Sequence, residues 1–495
     1  MPKKPNILFF FSDSHRHDWL GSNENLPLRT PTLDSLGDSG VRFENAICPA
    51  PLCAPSRASL ASGLSFNRCG VPNNYTNYPI GGYLDSQPTF YERLRDEADY
   101  HVMACGKLDL QKAIFHWGKD GAHLTEELGF SDAINNADST LAHLHVEDVV
   151  RSSERHDPYM DYLRREGYLE QHLEDFESRG SLQETSPTPL PQEAYIDNWV
   201  ARNGLRLLEN APRDQPWHLV VNFNGPHPPF TVTEDMYQWY READEEDFPS
   251  PIPRTDDNDS ATSTAPLDQN LSPETHAEIR RNYAAMIENI DKQIAQYLEA
   301  LEKRGEKDRT IIVYASDHGE MLGDHGQFNK KSPYHPSLGI PLIVSGADIQ
   351  RRGSVDVPVG LIDLHDTFLD YAQLPVDQEK PVMPSLGCSD SGNDVPSGTD
   401  SRSMKGYLIG EESEHREFIC AGLDGSCRGI PATMRVIFDG RYKFVEGWDR
   451  PKSQCGFEPV LFDHETDPNE RTNIAETNPE VVADLRCKLD DWYSN

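Results

Sequence analysis

The sequence lacks a hydrophobic run of about 18 residues or more, the length that a membrane-spanning helix requires. Its early apolar stretch, ILFFF, is too short for the core of a signal peptide, and no small-residue cleavage site follows it. We therefore expect no membrane as a partner and a cytoplasmic location for the chain as numbered. A secreted or periplasmic location would require a leader that was removed.

Basic residues are also scarce. The chain has 46 lysines and arginines against 82 aspartates and glutamates, which gives a formal net charge of −36. A field of that sign repels nucleic acid and anionic membranes, so we expect neither as a partner. An anionic substrate would be repelled as well, unless the protein builds a local cationic pocket for it.

The chain has short apolar segments instead of long ones, and these are rich in valine, isoleucine and phenylalanine. They read NILFFFS, YHVMACG, HLVVNF, TIIVYAS and IPLIVSG. Such runs suit strands buried on both faces. Helical periodicity lies between them and is clearest over 273–305, where a glycine ends the pattern. The alternation predicts an α/β fold with a large, mostly parallel sheet sandwiched by helices.

The C-terminal part has a different pattern. Residues 374–405 are rich in Pro, Gly and Ser and read as a linker or loop. The segments EFICAGL, MRVIFDGRYKFVEG and PVLFDHETDP then read as strands, followed by a helix from about residue 477. We predict a catalytic-type domain over 1–373, a linker over 374–405, and a smaller C-terminal α+β subdomain over 406–495 with an antiparallel sheet and a helix.

Ionisable side chains stand where the apolar runs end: Asp13, Lys107, His227, Asp317 and His318. In open α/β sheets, ligands bind at the carboxyl ends of the strands. Strand ends also become polar simply because loops begin there. That explanation does not account for these residue types, which are the ones that bind metals and anions, so we predict a site at this edge.

Cysteines are few, with an odd count of nine scattered along the chain, which argues against a disulfide framework. One of them opens the stretch CAPSRASLASG, residues 53–63. Pro55 suits the first turn of a helix over about 55–62, and Gly63 would end it. Cys53 would then lie at the helix N-terminus, where an anion is favoured, with Arg57 one turn along. A buried thiol placed before a helix is the alternative.

The stretch matches the whole pattern C-x-P-S-R-x-x-L-x-S-G, and this pattern resembles the signature of the type I, formylglycine-dependent sulfatases of the alkaline phosphatase superfamily. The resemblance implies that a formylglycine-generating maturation enzyme oxidises Cys53 to an aldehyde. One hydroxyl of the hydrated aldehyde, activated by a metal, would attack sulfur and expel the alcohol. The other would then lose its proton, and sulfate would leave. The residues of the match are Cys53, Pro55, Ser56, Arg57, Leu60, Ser62 and Gly63.

The same resemblance covers nearly the whole chain and implies a metal site. Asp13, Asp317 and His318 match metal ligands of the family, together with the modified Cys53. Carboxylate oxygens with one neutral donor make Ca²⁺ the first expectation, and the histidine keeps Mg²⁺ or Mn²⁺ as alternatives.

Four further residues match positions that surround the sulfate group in the family. Lys330 matches a lysine that contacts the sulfate oxygens, and it is favoured over its neighbour Lys331. His227 matches the histidine that protonates the leaving oxygen or binds the ester. Lys107 matches a lysine that bridges nucleophile and sulfate, and Asn74 an asparagine that some members place near the sulfate. Arg57 is expected to hold the nucleophile and offset charge.

Two positions depart from the family pattern. Ser14 stands where members often have Asp or Gln. The fourth ligand position is therefore filled by Ser14 through its oxygen, by a water in its place, or by His15. Asp109 stands where many members have histidine, and it would repel sulfate unless it pairs with Lys107 or Lys112 or binds a neutral or cationic part of the substrate.

We predict a sulfuric ester hydrolase that acts on a sulfated carbohydrate. The GKLD segment is similar to arylsulfatase K, and SDHG with LGDHG is similar to iduronate-2-sulfatase and choline sulfatase. A phosphonate monoester or phosphodiester hydrolase of the same superfamily is the first alternative, because both ester types present a tetrahedral anionic centre. An inactive, sulfatase-like glycan-binding protein is the second.

Overall fold

The computed structural model describes most of the chain. The described residues are 4–74, 88–110, 117–137, 157–241, 248–253, 271–376, 398–425, 433–447 and 459–494. Most of the predicted linker, residues 377–397, lies outside them, as does Lys112. The domain boundaries therefore stay a prediction. Within the described residues, no helix is both long and apolar enough to cross a membrane.

Fourteen strands form within the described residues. In chain order they are β1 (Asn6–Ser12), β2 (Val41–Phe43), β3 (Ala46–Ile47), β4 (His101–Gly106), β5 (Asp132–Asn135), β6 (Trp217–Asn222), β7 (Thr310–Ser316), β8 (Leu342–Gly346), β9 (Gly353–Val355), β10 (Val359–Gly360), β11 (Ile419–Leu423), β12 (Met434–Phe438), β13 (Tyr442–Gly447) and β14 (Val460–Asp463).

The α-helices of the same residues alternate with these strands. In chain order they are α1 (Pro31–Ser39), α2 (Cys53–Ser62), α3 (Phe90–Asp96), α4 (Pro158–Glu166), α5 (Leu169–Ser178), α6 (Ile196–Asn210), α7 (Glu234–Gln238), α8 (Pro273–Arg304), α9 (His335–Leu338), α10 (Asp363–Tyr371), α11 (Lys405–Leu408) and α12 (Pro479–Ser494). The 273–305 prediction is confirmed, since α8 ends at Gly305 in the left-handed region.

The central sheet has eight strands in the order β5-β4-β6-β1-β7-β8-β2-β9. The pairs from β5 to β7 are all parallel, whereas β8 runs antiparallel to both β7 and β2. The predicted α/β class with a mostly parallel sheet is confirmed. The exception, β8, comes from the IPLIVSG run, whose apolar pattern says that it is buried but not which way it points.

Strand β1 shows why the sheet is covered on both faces. Its residues Ile7, Phe9 and Phe11 pack into one core with α2, α3 and α10, while Leu8 and Phe10 pack into a second core with α6 and α8. Successive side chains of a strand point to opposite faces, so an uninterrupted apolar run serves both cores. This places β1 in the middle of the molecule.

The C-terminal prediction is also confirmed. Strands β11 to β14 form an antiparallel sheet in sequence order, and helix α12 covers one face of it through Leu485 and Leu489. The other face, which includes Val436 and Phe462, belongs to the same core as α2 and β1. The small sheet is therefore packed directly against the body that carries the strand-end residues.

Candidate active site

The site forms where four neighbouring parallel strands end. Strands β4, β6, β1 and β7 lie side by side and point the same way, so their carboxyl ends meet at one edge. Lys107 follows β4, Asp13 follows β1, and Asp317 and His318 follow β7. These four side chains are fully buried. The strand-end residues that are remote in sequence are thus brought together.

Cys53 comes to the same edge from the N-terminus of α2. Its Sγ lies 3.3 Å from Nε2 of His318 and 3.7 Å from Nζ of Lys107. The helix begins at Cys53, about two residues earlier than the sequence predicted, and Gly63 ends it with a φ of 71°. The earlier start has a local cause, because Oδ1 of Asn74 accepts the amide hydrogen of Ala54 at 3.0 Å and satisfies a free amide of the first turn.

Arg57 reaches past the cysteine to the carboxylates. Its Nε donates to Oδ2 of Asp317 at 2.9 Å, and its Nη2 lies 3.5 Å from Oδ2 of Asp13. Its Nη1 donates to the carbonyl oxygen of Lys107 and to Oδ1 of Asn222. Arg57 therefore fixes the ends of four strands to α2 and offsets the charge of the two carboxylates.

Lys107 balances the acidic groups on the other side. Its ammonium contacts Oδ2 of Asp13 and lies 3.3 Å from Oδ2 of Asp109. Burial by itself raises the pKa of Asp13, but the positive charges of Lys107, His227 and Lys330 hold it well below its usual range. Asp13 is therefore an anion at neutral pH. Asp109 takes the Lys107 pairing, one of the options left open by the sequence.

The donor set fits a divalent cation. The Oδ2 atoms of Asp13 and Asp317 face Lys107 and Arg57. Their Oδ1 atoms face Nε2 of His318, at 4.0 Å for Asp13 and 3.6 Å for Asp317. One ligand atom from each of these three residues and Sγ of Cys53 all lie within 4.8 Å of one another. Carboxylate oxygens that converge with an imidazole are ligands for Ca²⁺, Mg²⁺ or Mn²⁺.

Ser14 lies within this donor set, and His15 is turned away from it. The Ser14 hydroxyl donates to Oδ1 of Asp13 at 2.8 Å, and its amide donates to Oδ1 of Asp317 at 3.2 Å. Both ring nitrogens of His15 are within hydrogen-bond distance of other groups, the Tyr314 hydroxyl and the carbonyl of Trp19. Of the options for the fourth ligand, the His15 side chain is therefore the one that the geometry disfavours.

His227 lies in the loop after β6, and a buried acid on α6 shapes that loop. Oδ1 of Asp197 accepts the amide hydrogens of Asn224 at 2.7 Å and of Gly225 at 3.2 Å. The carbonyl of Gly225 in turn accepts the amide hydrogen of Asp13 at 3.1 Å. Burial raises the pKa of Asp197 to about 6 against the opposing effect of the two amides. One carboxylate thus links the His227 loop to the end of β1.

Lys330 enters from the loop between β7 and α9. Its side chain is buried, and its ammonium makes no hydrogen bond to another residue that the structure describes. Its charge nevertheless acts on both Asp13 and His318. A buried cation of this kind beside a donor set is suited to an anionic ligand group.

A family model described as Sulfatase matches residues 5–374. The chain belongs to the sulfatase family. Two relatives of this sulfatase align over almost its full length. The arylsulfatase of Clostridium perfringens is 26% identical, over 95% of this chain and 90% of the relative. Arylsulfatase K of Bos taurus is 25% identical, over 99% and 81%. The predicted family resemblance is confirmed.

Solved structures share the fold of this sulfatase. The phosphonate monoester hydrolase of Agrobacterium radiobacter superposes with a TM-score of 0.74 at 21% identity, over 99% of this chain and 95% of that one. A structure described as BT4656 in complex with its substrate D-glucosamine-2-N,6-O-disulfate superposes with a TM-score of 0.72 at 19% identity, over 100% and 99%. At this identity the likeness shows the fold alone.

Sequence reasoning missed two residues that shape the site of this sulfatase. Asn222, the last residue of β6, binds Arg57, and its signal was present because it ends an apolar run as Asp13 and Lys107 do. Asp197 had no such signal. It is one of 82 acidic residues and lies near the start of a helix, where an aspartate is ordinary.

Proposed function

We propose that this sulfatase hydrolyses a sulfuric ester of a carbohydrate, with a formylglycine derived from Cys53 as its nucleophile. The observation that carries the proposal is the position of Cys53. Its Sγ, which marks where the oxygens of the modified residue would lie, contacts His318 and Lys107 within the donor set of Asp13 and Asp317. A nucleophile beside a cation site and buried lysines is the arrangement that sulfuryl transfer needs.

The chain's own residues divide the work of such a reaction. Asp13, Asp317 and His318, with Ser14 at their side, would hold a divalent cation, Ca²⁺ before Mg²⁺ or Mn²⁺, which supplies charge stabilisation and lowers the pKa of an attacking hydroxyl. Lys107 lies against Sγ of Cys53 and can stabilise an oxygen anion there. Arg57 keeps the two carboxylates in place and would thereby fix the position of the cation beside the nucleophile.

The remaining residues act on the ester. Lys330 would bind the sulfate oxygens, and His227 would deliver a proton to the leaving alcohol oxygen. Asn74 would support the nucleophile, because its Oδ1 accepts the amide hydrogen of Ala54 next to Cys53. Asp109 would keep Lys107 charged and oriented through their 3.3 Å contact.

A carbohydrate as the substrate is supported by one structural neighbour and by the charge balance. The protein solved with a disulfated glucosamine superposes over the full length of this chain. The three buried cations Arg57, Lys107 and Lys330, together with a bound divalent cation, would outweigh the paired carboxylates and favour an anionic group on an otherwise neutral sugar. A maturation enzyme would be the chain's partner before catalysis.

Hydrolysis of phosphonate monoesters or phosphodiesters is the second candidate, favoured by the structural match to a phosphonate monoester hydrolase. An inactive glycan-binding protein is the third.

The deciding experiment measures two things on protein produced with a formylglycine-generating enzyme. The Cys53 peptide should be about 18 Da lighter than the thiol form, and 4-nitrophenyl sulfate should be cleaved faster than a 4-nitrophenyl phosphonate. A faster phosphonate reaction favours the second candidate, and a modified protein without turnover on any sulfated sugar favours the third.

Replacement of His227 should affect substrates according to their leaving groups. His227→Gln should lower kcat/KM about 10²–10³-fold for a sugar sulfate, whose alcohol needs a proton as it leaves. The loss should stay below about tenfold for 4-nitrophenyl sulfate, because a phenolate of low pKa leaves without one. Both rates are measured on the same protein preparation, so the aryl substrate is the internal control. Equal losses on both substrates would contradict the assignment of His227 as the proton donor.

Lys330 and Lys331 provide a matched pair of neighbours. Lys330→Ala should lower kcat/KM about 10²-fold, mainly through a raised KM, since it removes one buried cation that would bind the sulfate oxygens. Lys331→Ala should change it less than about threefold, because its backbone amide, which donates to Pro51, is retained. Steady-state kinetics of the two variants on one sulfate ester make the comparison. Similar losses, or a larger loss for Lys331→Ala, would refute the choice of Lys330.

A further inference from the structure

The C-terminal sheet reaches into the loop that carries Lys330. Lys443 of β13 is fully buried, and its ammonium donates to the carbonyl of Pro333 at 2.6 Å. The same ammonium contacts Glu470, a fully buried residue of the segment after β14. Oε2 of Glu470 accepts the amide hydrogen of His335 at 2.7 Å. One ion pair thus binds the backbone on both sides of Tyr334.

The opposite end of this loop is fixed beside the nucleophile. The amide of Lys331 donates to the carbonyl of Pro51 at 3.0 Å, two residues before Cys53. Asn329 and Lys331 both have left-handed backbones, with φ values of 68° and 72°. Residues 330–335 are therefore held between the start of α2 and the C-terminal ion pair, and the direction of the Lys330 side chain depends on both attachments.

We propose that Lys443 and Glu470 are positioning residues for Lys330, so that the C-terminal sheet sets the affinity of the site for the sulfate group. The inference rests on the proposed function. The ion pair is buried and lies outside the donor set of Asp13, Cys53, Asp317 and His318. Glu470 is held in its charged form, because Lys443 and His464 keep its pKa at about 2 against the effect of burial. A charged acceptor makes a stronger hydrogen bond to a backbone amide than a neutral one.

A second metal site is the other interpretation of this cluster. Ligand atoms of His335, His464 and Glu470 lie within 4.8 Å of one another. Both carboxylate oxygens of Glu470 already accept hydrogen bonds, from His464 and from the His335 amide, and the ammonium of Lys443 lies against one of them. A divalent cation would meet a buried positive charge there, so we assign the cluster to positioning.

The test measures whether the effect of substituting Glu470 on sulfate affinity depends on the presence of Lys330. Glu470→Gln should raise KM for a sulfate ester, and the inhibition constant of inorganic sulfate, about tenfold each, while kcat changes less than about threefold. In a Lys330→Ala background the same substitution should raise KM less than about twofold, because its effect passes through the missing ammonium. Equal effects in both backgrounds would overturn the proposal.

Controls separate positioning from stability. Asp363→Asn breaks another buried ion pair, with Arg416 at 2.5 Å, away from the loop, and should lower the melting temperature without changing sulfate inhibition. If Glu470→Gln does not fold, the double variant Lys443→Met with Glu470→Gln removes both charges together and should still show the raised KM. Wild-type protein that cleaves no sulfate ester contradicts the proposed function. Active wild type with normal sulfate inhibition in the Glu470 and double variants contradicts the positioning role alone.

Discussion

Cys53→Ala should abolish hydrolysis, with a fall in kcat of about 10⁴-fold or more on every sulfate ester that the wild type cleaves. Removal of the nucleophile in a covalent mechanism has an effect of this order, because the other groups of the site act together with it and cannot replace it. The fold should remain, because Sγ is a small buried group at the first residue of α2 and the helix keeps its Asn74 contact. Steady-state kinetics and a thermal melt of the same sample test both statements.

Cys69→Ala is the matched control for that prediction. Cys69 is also a buried thiol, but its Sγ contacts the carbonyls of Phe66 and Val71, three and two residues away along the chain. Its replacement should lower stability by about 1 kcal/mol and leave kcat within about twofold. A Cys53→Ala protein that retains more than a few per cent of wild-type kcat would show that the thiol is a structural group and that the nucleophile lies elsewhere.

Asp317→Asn should cause the second large loss, about 10³-fold in kcat/KM, with loss of the response to divalent cations. Asp317 offers one oxygen to the donor set and the other to Arg57 at 2.9 Å. A neutral amide weakens the cation site, whose contribution to such reactions is several kcal/mol. The substitution also removes the carboxylate charge that lies closer to Arg57. Only the carboxylate of Asp13, at 3.5 Å, then remains for Arg57 to contact. Wild-type protein should melt at a higher temperature with Ca²⁺ than after chelation, and the variant should not.

Asp363→Asn again supplies the comparison. It removes a buried aspartate that pairs with Arg416, so it should destabilise the fold as much as Asp317→Asn does. It should keep the cation-dependent rise in melting temperature, because Asp363 takes no part in the donor set. If both variants lose that rise, the rise depends on the general stability of the protein and says nothing about Asp317 as a ligand. If neither loses it, the cation binds somewhere other than at Asp317.

The fold class followed from local patterns because each apolar run is long enough to be read alone. Runs such as NILFFFS carry no polar interruption, which means a strand covered on both faces, and the helix over 273–304 carries its own stop at Gly305. The direction of β8 could not be predicted in this way. A buried strand has the same residues whichever way it runs, and its direction depends on the connections around it.

The sequence by itself determined which residue types the site contains: the Cys53–Gly63 pattern and the ionisable residues Asp13, Lys107, Asp317 and His318 that follow three apolar runs. It could do so because residue type and position along a strand are local properties. Only the tertiary structure decided which partner each charge takes. Arg57 binds Asp317, 260 residues away, and Lys443 of the C-terminal sheet binds the loop of Lys330. Those pairings depend on strand order and on the packing of one sheet against another, and no local pattern encodes either.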